Sequence, residues 1–333
     1  MKLLRKFKKY LRSAISVSYS AEKSKIARIP VILDIIYCSL RFHSTPQEYG
    51  LYRFYDFKNR YRKNFILNYH QRKRYGLVNN IEVTHSKRSF YKIMSKWFYR
   101  EVIFVPECGE ADFLAFVRKH KKVILKPDKG SLGKGIFVLY YESDEQVLQK
   151  FSLLTEPFIC EEYISQHPIM AKLNPHTVNT LRIISIRNDA NNVEIVSCIL
   201  RMGAKATAVV DNIVSGGIFA QVDIDTGIVT SFAIDKSRNS YSHHPITNVQ
   251  IIGMCVPNWD EVIKLVKQLH GAMDESRILA LDIAVTEFGA SVVEANSTPG
   301  TRSLQMIDCV PRGGKILKII NNKKFQIYKC PKT

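Results

Sequence analysis

What this chain lacks narrows its chemistry before any motif is read. Its seven cysteines (Cys38, Cys108, Cys160, Cys198, Cys255, Cys309 and Cys330) contain no CxxC pair and no metal-ligand spacing. That excludes a zinc ribbon or a disulfide framework and predicts buried thiols of a reducing compartment. No apolar run approaches the roughly 20 residues of a membrane span. The longest near the start, IPVILDII, is short and carries Asp34. The stretch MKLLRKFKKYLRSAIS has no secretory h-region, because charge interrupts its apolar residues. These absences predict a cytoplasmic protein. Internal repeats and low-complexity linkers are missing too, and no Ser/His/Asp or cysteine nucleophile stands out. Acidic residues are scarce in one place only. Residues 1–100 hold 23 Lys and Arg against 5 Asp and Glu, so +18 of the chain's net +19 lies there.

That basic third implies a polyanionic partner: a membrane surface, an acidic polysaccharide or nucleic acid. Leu3, Leu4, Phe7, Leu11, Ala14 and Ile15 recur at helical spacing among Lys2, Arg5, Lys6, Lys8, Lys9 and Arg12. The pattern fits a basic amphipathic helix on an anionic membrane surface, or a helix packed on its own domain with a solvated basic face. In HSTPQEYGLYRFYDFKNRYRKNFI, Thr45 before Pro46 marks a helix start. Its interleaved aromatic and basic residues raise the idea of base stacking. However, Tyr52, Tyr55 and Phe57 follow a core-facing rhythm and no nucleic-acid signature is present, which disfavours nucleic acid as a partner.

From about residue 82 helical patterns alternate with short strands, and after residue 178 β-runs and turns dominate. The expectation is an α+β chain with mostly antiparallel sheets, organised as a basic, mainly helical region over 1–81 and a catalytic domain over 82–325. Three motifs in the second part carry chemistry. In VVEANSTPG, Glu294 and Asn296 share one strand face, and both offer the oxygen ligands that Mg²⁺ prefers. LALDIAVTEFGASVVEAN places Asp282 on a neighbouring strand across a turn at Phe288-Gly289. A hairpin with polar residues on its wet face is the alternative. The second motif, DKGSLGKGI, matches neither GxxxxGK[ST] nor GxGxxG. It reads as a lid whose glycines let backbone N–H groups approach phosphate, with Lys126 on the preceding strand VILKP reaching the same oxygens. The third, CEEYI, offers a strand edge to an adenine, with Ile164 to pack on its face.

The order of these motifs resembles the ATP-grasp superfamily over roughly residues 82–320. The resemblance implies two α+β subdomains that clamp ATP between antiparallel sheets. It implies Lys126 as the phosphate-contacting lysine, and Lys129, Gly130, Ser131, Gly133 and Gly135 as the closing loop. Glu161, Glu162, Tyr163 and Ile164 become the adenine hinge, and Asp282, Glu294 and Asn296 the ligands of Mg²⁺, with Mn²⁺ as the alternative ion. Lys87 falls where an earlier phosphate-binding lysine is usual, with Lys92 nearby as a competitor. The usual ribose carboxylate is missing, and His167 is its substitute. NPHTVNTLRI and DNIVSGGIF resemble most closely the sugar-transfer-associated branch found beside glycosyltransferases. They imply a substrate site at Asn179, Arg182, Arg201, Asn212, Gly216 and Gly217, with Arg182 the main stabiliser of an acyl phosphate. For each arginine a structural salt bridge is the alternative.

The implied reaction is ATP-dependent amide formation between a carboxylate, of uronic-acid type on a capsular or lipid-linked glycan, and an amino acid or other amine. Such an acceptor would explain the basic N-terminal third and a peripheral place at the membrane. A phosphotransferase using the same ATP residues, and a non-catalytic nucleotide-binding adaptor, remain as rivals.

Overall fold

The computed structural model describes residues 2–22, 28–56, 62–80, 82–84, 86–130, 133–205, 211 and 216–325. Phe57, Ser131, Asn212 and Cys330 lie outside the described residues. The chain divides into two compact units, Met1–Asn79 with Thr298–Thr333, and Asn80–Ser297. This differs from the expected division at 81/82, because the segment after residue 297 belongs with the N-terminal unit. Its attachment is explicit. The Gln305 side chain accepts from Ile66 N and donates to Ile66 O, both at 2.9 Å, and Gly313 N donates to Asn64 O at 2.9 Å.

In the first unit, helices α1 (Lys2–Glu22), α2 (Arg28–Phe42), α3 (Pro46–Leu51), α4 (Asn68–Lys73) and α5 (Tyr75–Val78) are joined by the later α11 (Arg302–Met306) and α12 (Gly314–Asn321). The Thr45-Pro46 signal does start a helix. Thr45 Oγ1 accepts from Glu48 N at 3.2 Å while Glu48 accepts from Thr45 N at 2.9 Å, a reciprocal capping box. Tyr52 is fully buried as its rhythm required, with its ring 4.8 Å from that of Phe65. Tyr55 is half-buried. The apolar run around Asp34 turns out to be α2. Its single acid turns inward, to Arg62 at 2.7 Å and the Tyr49 hydroxyl at 2.6 Å.

The second unit holds α6 (Lys87–Met94), β1 (Val102–Val105), α7 (Gly109–His120), β2 (Lys122–Pro127), β3 (Phe137–Tyr140), α8 (Asp144–Ser152) and β4 (Phe158–Glu162). It continues through α9 (Pro168–Leu173), β5 (Thr180–Arg187), β6 (Val193–Met202), β7 (Ile218–Val222), β8 (Ala233–Ile234), β9 (Ser240–Tyr241), α10 (Trp259–Ala272), β10 (Ile278–Thr286) and β11 (Gly289–Asn296). The strands form a four-stranded sheet in the order β1-β4-β2-β3 and a seven-stranded sheet in the order β11-β10-β5-β6-β7-β8-β9, with every pairing antiparallel. Phe113, Phe116 and Val117 of α7 and Val147 of α8 share a core with Val123, Leu125 and Leu139 of the small sheet. Val262, Leu265, Val266 and Leu269 of α10 recur at helical spacing and share a core with the large sheet. The expected architecture is therefore present: two α+β subdomains with antiparallel sheets, and a helical N-terminal region.

Among the described cysteines, Cys108 and Cys309 are half-buried. Cys38, Cys160 and Cys198 are buried as expected, but Cys255 is exposed.

Candidate active site

The β10–β11 hairpin turns between Thr286 and Gly289 and sets Asp282 opposite Glu294, with a bulge directly after Asp282. On its other side β10 pairs with β5, which puts Arg182 opposite Asp282. One row across three strands thus reads arginine, aspartate, glutamate. Arg182 grips Asp282 in a bidentate pair, Nε to Oδ1 at 2.8 Å and Nη2 to Oδ2 at 2.7 Å. Arg201, from β6, adds a bond from Nη2 to the same Oδ2 at 2.9 Å. Arg201 is in turn held by the Thr180 hydroxyl at 2.7 Å and by Asp211 at 3.2 Å. Asp211 also accepts from Thr180 N at 3.0 Å and from the Thr180 hydroxyl. Both arginines therefore do make the salt bridges named as their alternative, and the shared carboxylate is one expected at the metal.

The electrostatics follow from burial and pairing. Burial works to raise the Asp282 carboxyl, but the guanidiniums of Arg182 and Arg201 outweigh it and hold it at about 2. Glu294 moves the other way. Burial and the facing Asp282 carboxylate push it above the usual range, more than the arginines pull it down. Its side chain is still 41% exposed, so water reaches it. Burial also raises Asp211, against the pull of Arg201.

Two opposed carboxylates with an adjacent carboxamide suit a hard divalent cation. Asn296 Nδ2 donates to Glu294 Oε1 at 3.1 Å, so both side chains lie together on the accessible face. The Asp282 side chain is 2% exposed and already accepts three arginine bonds. A carboxylate offers about four lone-pair sites, which leaves one for a cation. The donor set fits, with Glu294 and Asn296 as its open members and Asp282 as the anchor of the arginines behind them. Among the described residues no group of three or more His, Cys, Asp and Glu forms a metal-binding cluster.

Lys87 approaches this row from α6. Its Nζ donates to Pro127 O at 2.9 Å, and the Ser86 cap and Arg88 N bind the Asp128 carboxylate at 2.7 and 2.9 Å. These bonds tie the start of α6 to the β2–β3 loop, while Lys92 is exposed. Burial lowers the Lys87 ammonium, and the charges acting on it are Glu294, Lys126, Asp128 and Glu161. It therefore sits among the charged side chains of both sheets. The loop turns through Gly130, Gly133 and Gly135, all at positive φ. At Gly135 a Cβ would also stand 2.9 Å from the Pro127 ring. Lys129 is exposed on this loop.

Several expected residues sit differently. Glu161 is not at a sheet edge, because β4 lies between β1 and β2 and its backbone is spent on both neighbours. Its side chain is a buried counter-ion, 2.8 Å from Lys126 and 2.7 Å from Arg100. Arg100 also donates to Val292 O at 2.6 Å, linking the small sheet to β11. Glu162 accepts from Glu101 N at 3.2 Å. Tyr163 and Ile164 lie beyond the end of β4, with the Tyr163 hydroxyl on His176 O at 3.3 Å. His167 caps α9 by accepting from Ile169 N at 3.2 Å, a structural task.

Asn179 is fully buried and donates to Gln166, Met170 O and Asn174 O, so it fixes the loop before β5 and does not face the arginines. Strand parity explains this: residues three apart point to opposite faces, and Thr180 is the one that shares a face with Arg182. Gly217 is buried, and Gly216, at positive φ, lies against the Lys205 side chain. Thr180, Asp211 and Arg100 are site residues that the motifs did not reveal. Two-residue spacing from Arg182 pointed to Thr180, and Asp211 immediately precedes the expected Asn212. No local signal marked Arg100.

A family model described as sugar-transfer associated ATP-grasp matches residues 60–310. Among solved structures, the chain is similar to purK, an N5-carboxyaminoimidazole ribonucleotide synthetase in its ADP complex, at 14% identity over 72% of this chain and 52% of that one, with a TM-score of 0.47. It is similar to an N5-carboxyaminoimidazole synthetase from Staphylococcus aureus complexed with ADP, at 12% identity over 73% and 53%, TM-score 0.46. It is also similar to a D-alanine–D-alanine ligase from Bacillus anthracis, at 14% identity over 71% and 63%, TM-score 0.41. The chain thus spans about half to under two thirds of the length of these structures. No curated protein matches it.

Proposed function

The chain belongs to the sugar-transfer associated ATP-grasp family, and from that premise we propose that it is an ATP- and Mg²⁺-dependent carboxylate–amine ligase. Its proposed acceptor is a uronic-acid-type carboxylate on a surface glycan, capsular or lipid-linked, and its second substrate an amino acid or other amine. The observation that carries this reading is the Arg182–Asp282–Arg201 network beside Glu294 and Asn296. Paired guanidiniums are shaped for a carboxylate or an acyl-phosphate oxygen. Acceptor and phosphate chemistry would then meet on one sheet face.

The substrate carboxylate oxygen attacks the γ-phosphorus of ATP, the bond to the bridging oxygen breaks, and ADP leaves. The amine then adds to the acyl phosphate, loses a proton and expels inorganic phosphate. Arg182 orients the acceptor carboxylate and steadies its phosphorylated form, with Arg201 and Thr180 bracing that arginine layer. Lys87, Lys126 and the β2–β3 loop hold the phosphates, Lys126 by exchanging part of its contact with Glu161. Tyr163 and Ile164, where the chain leaves β4, border the base. A divalent cation on Glu294 and Asn296 would neutralise phosphate charge. The chain's own contribution is mainly positioning and charge stabilisation.

Hydroxylamine trapping tests this reading. With MgATP and a panel of uronic-acid glycans, ADP and a hydroxamate should form in step. ADP with a phosphorylated glycan and no hydroxamate would replace the ligase with a phosphotransferase, and nucleotide binding without ADP from any acceptor would favour an adaptor.

A further inference from the structure

The apolar residues of α2 occupy two opposite faces. Val31, Ile35 and Cys38 are buried, whereas Ile29, Leu33, Ile36, Tyr37 and Leu40 are 73%, 61%, 41%, 55% and 78% exposed. At helical spacing these five fall on a single stripe opposite the buried one. The neighbouring α1 repeats the feature beside charge. Phe7, Leu11 and Ile15 are exposed at four-residue intervals, and Arg5, Lys6, Lys8, Lys9 and Arg12 are exposed next to them. No acidic residue occurs in α1 before Glu22. In α2 the one acid, Asp34, bonds inward to Arg62 and Tyr49, and Arg28 and Arg41 stand exposed near the two ends.

From these faces we infer that the α1–α2 pair docks on an anionic lipid surface, with both helices lying in the plane of the interface. The inference is independent of the reaction at the other unit's site. Charge complementarity selects the occupant. Apolar residues enter the boundary between headgroups and chains while the flanking lysines and arginines meet lipid phosphate. A second copy of the chain would bring two strongly basic α1 surfaces together. A nucleic acid would leave the five α2 side chains without an apolar partner. Neither helix suits a span: α2 is 15 residues long, about 22 Å against a hydrocarbon core of about 30 Å, and the 21-residue α1 carries lysine and arginine along its first half. No helix among the described residues is long and apolar enough to cross a membrane.

Vesicle flotation with the full chain tests this. Wild type should float with vesicles of phosphatidylcholine mixed with phosphatidylglycerol, float less as salt rises, and stay behind with phosphatidylcholine alone. Leu33→Ser with Leu40→Ser leaves the charge unchanged and should weaken flotation about tenfold or more, at unchanged circular dichroism and thermal midpoint, since both positions are exposed. Lys8→Gln with Arg12→Gln should weaken it and flatten the salt dependence. Either of two flotation results overturns the inference. One is absence of flotation with anionic vesicles at low salt. The other is a folded L33S/L40S variant that floats like wild type. A wild-type dimer in sedimentation velocity that L33S/L40S converts to monomer would overturn it as well, by assigning the face to a second copy.

Discussion

Glu294→Gln is expected to lower MgATP turnover by about 100-fold or more without making the ligand-free protein less stable. The two effects separate because Glu294 faces Asp282 directly across the β10–β11 pair, and like charges so placed repel. Burial and that neighbour favour its neutral form. The folded pKa lies above the unfolded one, so the ionised carboxylate costs stability at neutral pH, and the cost disappears as pH falls through the folded pKa. Glutamine keeps the shape and the acceptor for Asn296 but removes the repulsion. Arg182, 3.7 Å from Glu294, loses an attraction in exchange. With water reaching a side chain that is 41% exposed, the net gain in stability is at most about 1 kcal/mol. ADP release titrated against Mg²⁺, alongside thermal unfolding in chelator, reads both quantities. Wild-type turnover with an unchanged Mg²⁺ dependence would remove Glu294 from the metal site.

The neighbouring substitution, Asp282→Asn, should cost both activity and stability. Asp282 is the shared counter-ion of two arginines, and its two oxygens accept three guanidinium bonds. An asparagine retains one acceptor and turns an N–H₂ donor toward a guanidinium, so at least one bond becomes a donor–donor contact. Leaving buried cations without their partner costs about 3 kcal/mol. The pH dependence has a fixed sign. The folded carboxyl titrates at about 2, below its ordinary value of 3.8. Its stabilising contribution is therefore complete above pH 4 and is lost as pH falls through 2. Urea unfolding at neutral pH should show the deficit, and wild type and D282N should converge as the pH is lowered toward 2. Equal stability at neutral pH would show that Arg182 and Arg201 do not depend on Asp282. Turnover should fall with the fold intact, because both arginines lose the group that aims them.

Comparing these two carboxylates shows why part of the site was legible. Glu294 and Asn296 alternate along one strand, and alternation is a property of adjacent residues. The same holds for the β2 lysine followed by glycines, for Thr45 before Pro46, and for the helical rhythm of Lys2 to Ile15. Such signals reach a few residues along the chain and survive without any tertiary partner. They were sufficient for the α+β class, the antiparallel sheets and the ATP-grasp resemblance.

Partner choice is another matter. Arg182 meets Asp282 because β5 and β10 pair in one register, 100 residues apart in sequence. Glu161 read as an adenine contact because nothing local reveals that β4 is an interior strand; once interior, its buried charge required Lys126 and Arg100. Asn179 holds the loop before β5 and not the substrate face, because strand parity turns it away from Arg182. The apolar run that was too short to span a membrane became a helix with one face unburied. The chain's own sequence determined which elements form and which side chains share a face. The tertiary structure decided which charges neutralise one another, since only sheet order and register bring a buried carboxylate to its distant counter-ion.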